Sequence, residues 1–152
     1  MTTQTSLTIL KRALIILALG TTPALGLQLN WAQVVADPGV ARAAASDGAG
    51  STYVIGNFSG TVDFDPGTNV TELVADNGDG YIAKYDPNGA LTWAIDLGGA
   101  TNSYTELSDI ATDTAGDLWV LGKFTGDIDV NPDPLLTHTL AATNDTEILL
   151  AK

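Results

Sequence analysis

The chain contains no cysteine and a single histidine among its 152 residues. Without thiols there can be no disulfide, thiolate nucleophile, cysteine-ligated zinc or lipidated cysteine. Basic residues are scarce too: six Lys and Arg stand against 18 Asp and Glu, a net charge of −12. Nucleic-acid binding depends on cations that neutralise phosphates, and adhesion to anionic lipid on basic clusters, so neither partner suits this chain. Beyond the N-terminal segment no stretch carries a 3.6-residue apolar period, which argues against amphipathic helices. What the sequence does hold is 16 glycines, set with Asp, Asn, Thr and Pro between short apolar runs that bring it to 45% hydrophobic residues. Such a composition predicts many short strands joined by tight turns, at a length typical of one domain.

The first 26 residues read as a secretory signal peptide. Lys11 and Arg12 supply the positive start, Ala13-Leu-Ile-Ile-Leu-Ala-Leu19 the apolar core, and Thr21, Thr22 and Pro23 break it. Ala24 and Gly26 then place small residues three and one positions before a cut after Gly26. The core is well short of the ~20 apolar residues that a stable membrane span requires. The mature chain, residues 27–152, is therefore expected to be secreted, extracellular or at the cell surface, with the periplasm as the other exported compartment. Removing Lys11 and Arg12 leaves 18 acids against four basic residues, a net charge of −14.

An internal repeat organises the rest. Ser46-Asp-Gly-Ala-Gly-Ser-Thr-Tyr-Val-Ile-Gly-Asn-Phe-Ser-Gly-Thr-Val-Asp-Phe-Asp-Pro66 aligns without a gap on Thr112-Asp-Thr-Ala-Gly-Asp-Leu-Trp-Val-Leu-Gly-Lys-Phe-Thr-Gly-Asp-Ile-Asp-Val-Asn-Pro132, at an offset of 66. Asp47 falls on Asp113, Tyr53 on Trp119, Gly56 on Gly122, Phe58 on Phe124, Gly60 on Gly126 and Asp63 on Asp129. Upstream, Leu29-Asn-Trp-Ala-Gln matches Leu91-Thr-Trp-Ala-Ile; downstream, Asp79–Lys84 matches Glu147–Lys152. Each copy predicts strands around its Trp (Trp31 or Trp93), into Asp47 or Asp113, over Thr52–Phe58 or Leu118–Phe124, through Val62–Phe64 or Ile128–Val130, and over Tyr81–Tyr85 or Ile148–Lys152. Tyr85-Asp-Pro-Asn-Gly89 and Asp76-Asn-Gly-Asp-Gly80 have the chemistry of tight hairpin turns. Trp119-Val-Leu-Gly-Lys-Phe places large apolar groups on both faces, as in a strand covered on both sides. Gly56 and Gly122 mark either a bulge or close sheet-to-sheet approach.

Four or so antiparallel strands repeating at this length predict one propeller blade per copy. The expected organisation is all-β: a signal peptide over 1–26, a first blade-like repeat over 27–90 and a second over 91–152. The run Tyr53–Gly67, with Gly60-Thr-Val-Asp-Phe-Asp-Pro-Gly67 at its centre, followed by Asp79-Gly-Tyr-Ile-Ala-Lys-Tyr-Asp-Pro-Asn-Gly-Ala-Leu-Thr-Trp-Ala94, resembles bacterial β-propeller repeats of the SBBP type. The resemblance spans essentially the mature chain; the second copy departs from it at Val130, Asn131 and Asp133. It implies extracellular or cell-surface proteins built from many such repeats, usually without an assigned activity. Closed propellers use about 4–8 blades, so two imply an incomplete ring completed by further blades, from a longer chain or from other copies of this one.

For function the sequence offers few candidates. Asp63 and Asp65 in the first copy, and Asp127, Asp129, Asn131 and Asp133 in the second, alternate at a spacing of two, which in extended chain puts their oxygens on one face toward a hard cation such as Ca²⁺. The EF-hand pattern fails, because Pro132 stands where Gly is needed and His138 where Glu is needed. The plainer reading of these acids is turn and edge-strand chemistry. Gly78-Asp-Gly-Tyr-Ile-Ala83 opens a strand rather than a helix, so it is a turn and not a dinucleotide site. No nucleophile elbow surrounds any Ser, and His138 reads as a surface residue. The three Trp could stack on sugars, but their repeated positions favour core. These features lean away from an enzyme and toward a module for binding, adhesion or scaffolding, with a protein or glycan ligand. The alternatives are part of a polysaccharide-active enzyme whose site lies in other blades, and a self-assembling structural protein.

Overall fold

The computed structural model describes residues 14–19, 29–35, 38–99, 102–133, 135–143 and 145–152. Among these every regular element is a strand, and every pairing between strands is antiparallel. The expected signal peptide lies outside the described residues except for β1 (Leu14–Leu19), which pairs with β2 (Leu29–Val35) in a two-stranded sheet.

Next comes a four-stranded meander: β3 (Gly39–Ser46), β4 (Thr52–Asp63), β5 (Glu72–Tyr85) and β6 (Leu91–Leu97), hydrogen-bonded in chain order. The second copy builds a three-stranded sheet from β7 (Tyr104–Thr112), β8 (Leu118–Thr125) and β11 (Glu147–Ala151), with β8 in the middle. A small hairpin of β9 (Asp127–Asp129) and β10 (Thr139–Ala141) projects between β8 and β11. It repeats the far end of β4 and β5, where Thr61–Asp63 pair with Glu72–Val74.

The strands alternate as their sequence dictates. Along β4, Tyr53 and Ile55 point to one face of the first sheet, and Val54 and Phe58 to the other. Val54, Phe58, Val62, Phe64, Ala75, Tyr81, Ala83 and Tyr85 form one cluster. In it the Phe58 and Phe64 rings meet edge to face with centroids 5.4 Å apart, and Phe64 lies 4.8 Å from Tyr81. The opposite face, with Tyr53, Ile55, Ile82 and Leu97, packs against Leu107, Ile110, Val120, Phe124, Ile128 and Leu149 of the second sheet. Each such side chain stabilises the fold by about 1.5–3 kcal/mol on burial, so this inter-sheet layer joins the two copies.

The copies stack in the same sense. Val120, Phe124, Ile128 and Leu149 of the second sheet face the first, and their repeat counterparts Val54, Phe58, Val62 and Tyr81 point away from the second. The β5–β6 turn has the expected chemistry: Gly89 donates its N–H to the Asp86 carbonyl, with a left-handed φ of 87°; the β3–β4 turn has the same form, with Gly50 donating to the Asp47 carbonyl at the same φ.

Three expectations change and one open choice is resolved. Asp76–Gly80 is no hairpin turn but lies within β5, where the register jumps from Phe58↔Asp79 to Gly60↔Ala75; the extra residues make a bulge, with Gly78 at φ 106°. The Trp93 strand, assigned by sequence to the second repeat, is the fourth strand of the first sheet, so the hydrogen-bonded unit runs from Gly39 to Leu97. The β8 strand is covered on one face only; Trp119, Leu121 and Lys123 point outward. Gly56 and Gly122 resolve in favour of the bulge. Each faces a register shift on its neighbour strand, where a side chain would overlap the carbonyl of Val40 or of Glu106. Close sheet-to-sheet approach falls instead at Gly80, against the Leu107 side chain.

Candidate functional site

The acidic residues proposed for a cation are distributed over two separate hairpins. Asp63 Oδ1 accepts N–H groups from Asp65 (3.0 Å) and Thr71 (2.8 Å), and Asp65 Oδ1 accepts one from Gly67 (2.7 Å). In the second copy Asp129 Oδ1 accepts from Asn131 (3.0 Å) and His138 (2.8 Å). Asn131 Oδ1 accepts from the Asp133 amide and Asp133 Oδ1 from that of Leu135, each at 3.0 Å. The amides of Asn131 and His138 hold the Asp129 carboxyl below its ordinary range. These side chains hold the backbone of their own loops, as short Asx residues do. Among the described residues no group of three or more His, Cys, Asp or Glu side chains converges as a metal cluster would. His138 sits exposed on its hairpin.

A different constellation occurs once per copy. In the β3–β4 turn, Asp47 Oδ1 caps the amides of Ala49 and Ser51, both at 2.9 Å, while its Oδ2 accepts from Tyr53 Oη (3.2 Å) and faces Lys84 Nζ (3.8 Å). Lys84 Nζ lies 4.9 Å from the centroid of the Tyr53 ring. In the β7–β8 turn, Asp113 Oδ1 caps Ala115 and Asp117, and its Oδ2 accepts from Trp119 Nε1 (3.2 Å) and faces Lys152 Nζ (3.5 Å). Lys152 also meets Asp117 at 2.8 Å and lies 5.1 Å from the Trp119 ring centroid. The Asp117 amide, the Trp119 indole and Lys152 keep the Asp113 carboxyl below its ordinary range. An aspartate, an aromatic ring and a lysine thus form one unit at the same corner of each sheet.

Between these two corners runs a groove of about 570 Å³, lined by Asp47, Gly48, Ala49, Thr112, Asp113 and Thr114 among others. The Thr112 hydroxyl donates to the Ser46 carbonyl at 2.9 Å, tying position 112 of one copy to its counterpart in the other. The groove presents carboxylates, hydroxyls and backbone groups without a nucleophile–base pair. Most of its lining surface is apolar, and the Asp47 and Asp113 Oδ1 atoms at its edges are already engaged by the amides of their own turns. A second hollow, about 330 Å³, lies on the outer face of the second sheet against Glu106, Ser108, Leu121, Lys123 and Ile148.

Two polar features inside the fold complete the inventory. Asp79 is buried beside Gly98, and burial, with the charges of Asp96 and Asp76 added, pushes its carboxyl up to about 6. Asn57 donates through Nδ2 to the Thr105 carbonyl across the sheet interface, while Asn57 Oδ1 and Thr105 Oγ1 are buried with no hydrogen-bond partner among the described residues. The Asp–aromatic–Lys units escaped the reading of the sequence, although their signal was there: Asp47 on Asp113, Tyr53 on Trp119 and Lys84 on Lys152 each matched between the copies. Trp93 lies against Tyr53, with centroids 6.1 Å apart, whereas Trp119 is exposed, contrary to the core role expected for it.

Compared with known proteins, the chain matches no family model, no curated protein and no solved structure. No helix among the described residues is long and apolar enough to cross a membrane.

Proposed function

We propose that this chain is an exported β-propeller repeat module of the SBBP type, acting in binding, adhesion or scaffolding at or outside the cell surface. One observation carries the reading: two sequence-matched antiparallel sheets stack in the same sense, so each copy presents the same corner, with its Asp, aromatic ring and Lys, on one side of the stack. Repetition of a polar corner beside a groove is how a repeat protein builds an extended binding surface. The leader-like start, Lys11 to Gly26, supports export. The self-assembling reading draws support from the apolar outer face of the second sheet, where Trp119, Leu121, Ile148 and Leu150 are exposed. Calcium enters only as a ligand of the Asp63 and Asp129 loops.

The test is made on the exported protein. An N-terminus at Leu27 and retention on cell-envelope polysaccharide or on partner cells, with no release of reducing ends, supports the module. Release of reducing ends marks the polysaccharide-active enzyme instead. An unprocessed N-terminus inside the producing cell ends the exported reading.

A further inference from the structure

Among the described residues the first sheet has a fourth strand and the second has three: β6 pairs along β5, whereas β11, the repeat counterpart of β5, pairs with β8 alone. The sequence that makes β6 occurs once more in the chain. Leu91-Thr-Trp-Ala-Ile in β6 matches Leu29-Asn-Trp-Ala-Gln in β2, at an offset of 62. Among the described residues β2 pairs only with β1, and β1 lies within the expected leader. Cleavage after Gly26 would leave β2 with both edges open, and open edges seek strands.

We propose that β2 of one copy adds to the outer edge of β11 in a second copy, completing the second sheet as β6 completes the first. The proposal rests on the propeller-repeat reading above. The register follows from the first sheet, where Ile82 faces Ile95, Ala83 faces Ala94 and Lys84 faces Trp93. Carried across, Leu150 faces Gln33, Ala151 faces Ala32 and Lys152 faces Trp31. Trp31 then takes beside Trp119 and Lys152 the place that Trp93 holds beside Tyr53 and Lys84. The ring that completes the aromatic corner in the first sheet is the one missing from the second.

Continuity with the internal interface extends the match. In one chain β6 leads into β7, which stacks on the face of the first sheet bearing Tyr53, Ile55 and Ile82. In the assembly β2 leads into β3, bringing the donating copy's first sheet to the matching face of the second copy, where Trp119, Leu121 and Leu150 are exposed. Trp31 must leave its present position, where its Nε1 donates to the Pro87 carbonyl at 3.1 Å and its ring is half-buried.

Because the chain has no cysteine, a pair of introduced thiols reports the contact without background. Two full-length variants, Gln33→Cys and Leu150→Cys, are exported separately, mixed and mildly oxidised. A disulfide-linked heterodimer joined through positions 33 and 150 is expected, since directly opposed strand residues lie within disulfide reach. Replacing Leu150→Cys by Lys123→Cys, one strand further in, should lower the yield at least about tenfold, as should adding Trp31→Ala to the donor chain. Absence of the heterodimer while amides of β4 and β8 stay protected from hydrogen exchange overturns the strand addition and leaves the stacked repeats standing. A Gln33→Cys/Leu150→Cys double variant that closes only within its own chain overturns it as well. Unprotected β4 and β8 in the unmodified protein sink the repeat reading and this inference together.

Discussion

The two sheets repeat one sequence pattern and differ in how much of it is hidden. Tyr53 is 5% exposed and its counterpart Trp119 40%; Ile55 is fully buried and Leu121 is 43% exposed; Ile82 is 7% exposed and Leu150 66%. Their backbones, turns and bulges correspond, so the difference comes from neighbours: the first sheet has a second sheet on that face and a fourth strand at its edge. Burial at these positions belongs to the stack rather than to the strand. An apolar residue repeated in sequence contributes to stability only where another unit covers it.

Matched substitutions break or sharpen this contrast. The largest effect is expected for Ile55→Ala, which opens a cavity in the inter-sheet layer and should cost about 3 kcal/mol; Leu121→Ala, at the matching exposed position, should cost less than about 0.5 kcal/mol. Urea unfolding of the two variants measures both, and equal losses would show that something covers the second sheet in solution.

Next in size is Asp79→Asn. The folded carboxyl holds its proton to about pH 6 against an ordinary 3.8, so the native state binds more protons than the unfolded chain between those values. Wild-type stability therefore falls as pH rises from about 3.8 to 6, and the loss stays in full above that. The amide removes the penalty: a gain of about 1–2 kcal/mol is expected at pH 7.5, fading toward pH 4. Thermal melts across pH 4–8 decide it.

Tyr85→Phe is smaller. Its hydroxyl donates to the buried Phe64 carbonyl at 3.1 Å, and losing it leaves that carbonyl unpaired, for about 1 kcal/mol by chemical denaturation. Smallest of all are Asp63→Asn and Asp129→Asn. The amide oxygen can still accept the loop N–H bonds, so melting temperatures should barely move, whereas Asp→Ala at either position should lower them. A marked drop for Asn, deepened by a chelator, would point instead to a bound cation.

Much of the fold was legible because local chemistry and tertiary structure agree. The Pro and Gly of Tyr85–Gly89 marked a turn, and Gly89 there holds a left-handed φ of 87°. The β-branched and aromatic residues of Thr52–Phe58 and Leu118–Phe124 marked strands that form over those residues, and the expectation of cover on both faces, read from Trp119–Phe124, holds in its counterpart Thr52–Phe58 instead. The same cues failed where one motif serves two geometries. Asp76-Asn-Gly-Asp-Gly80 has turn chemistry, yet its left-handed Gly78 serves a bulge, because the strand partner Gly60–Asp63 continues past it. The side of the repeat boundary on which Trp93 falls is decided by hydrogen bonds to β5, which no local pattern encodes. The candidate site was read least well. The spacing of Asp63 and Asp65 suggested convergence in extended chain, but each loop turns back on itself so that the oxygens meet their own amides. Asp79 gave no sign of burial, since its cover comes from Gly98, distant in sequence.

The uniform sense of stacking has a geometric consequence. A pair of units related by a two-fold axis would bury identical surfaces and stop at two. Here the surface offered differs from the surface received, so the arrangement has a direction, like an arrow with a head and a tail. Whatever its length, a stack of this kind has one head and one tail, and only bending round until they meet removes both. A reagent specific for the face bearing Trp119 and Leu121 would therefore count stacks rather than chains.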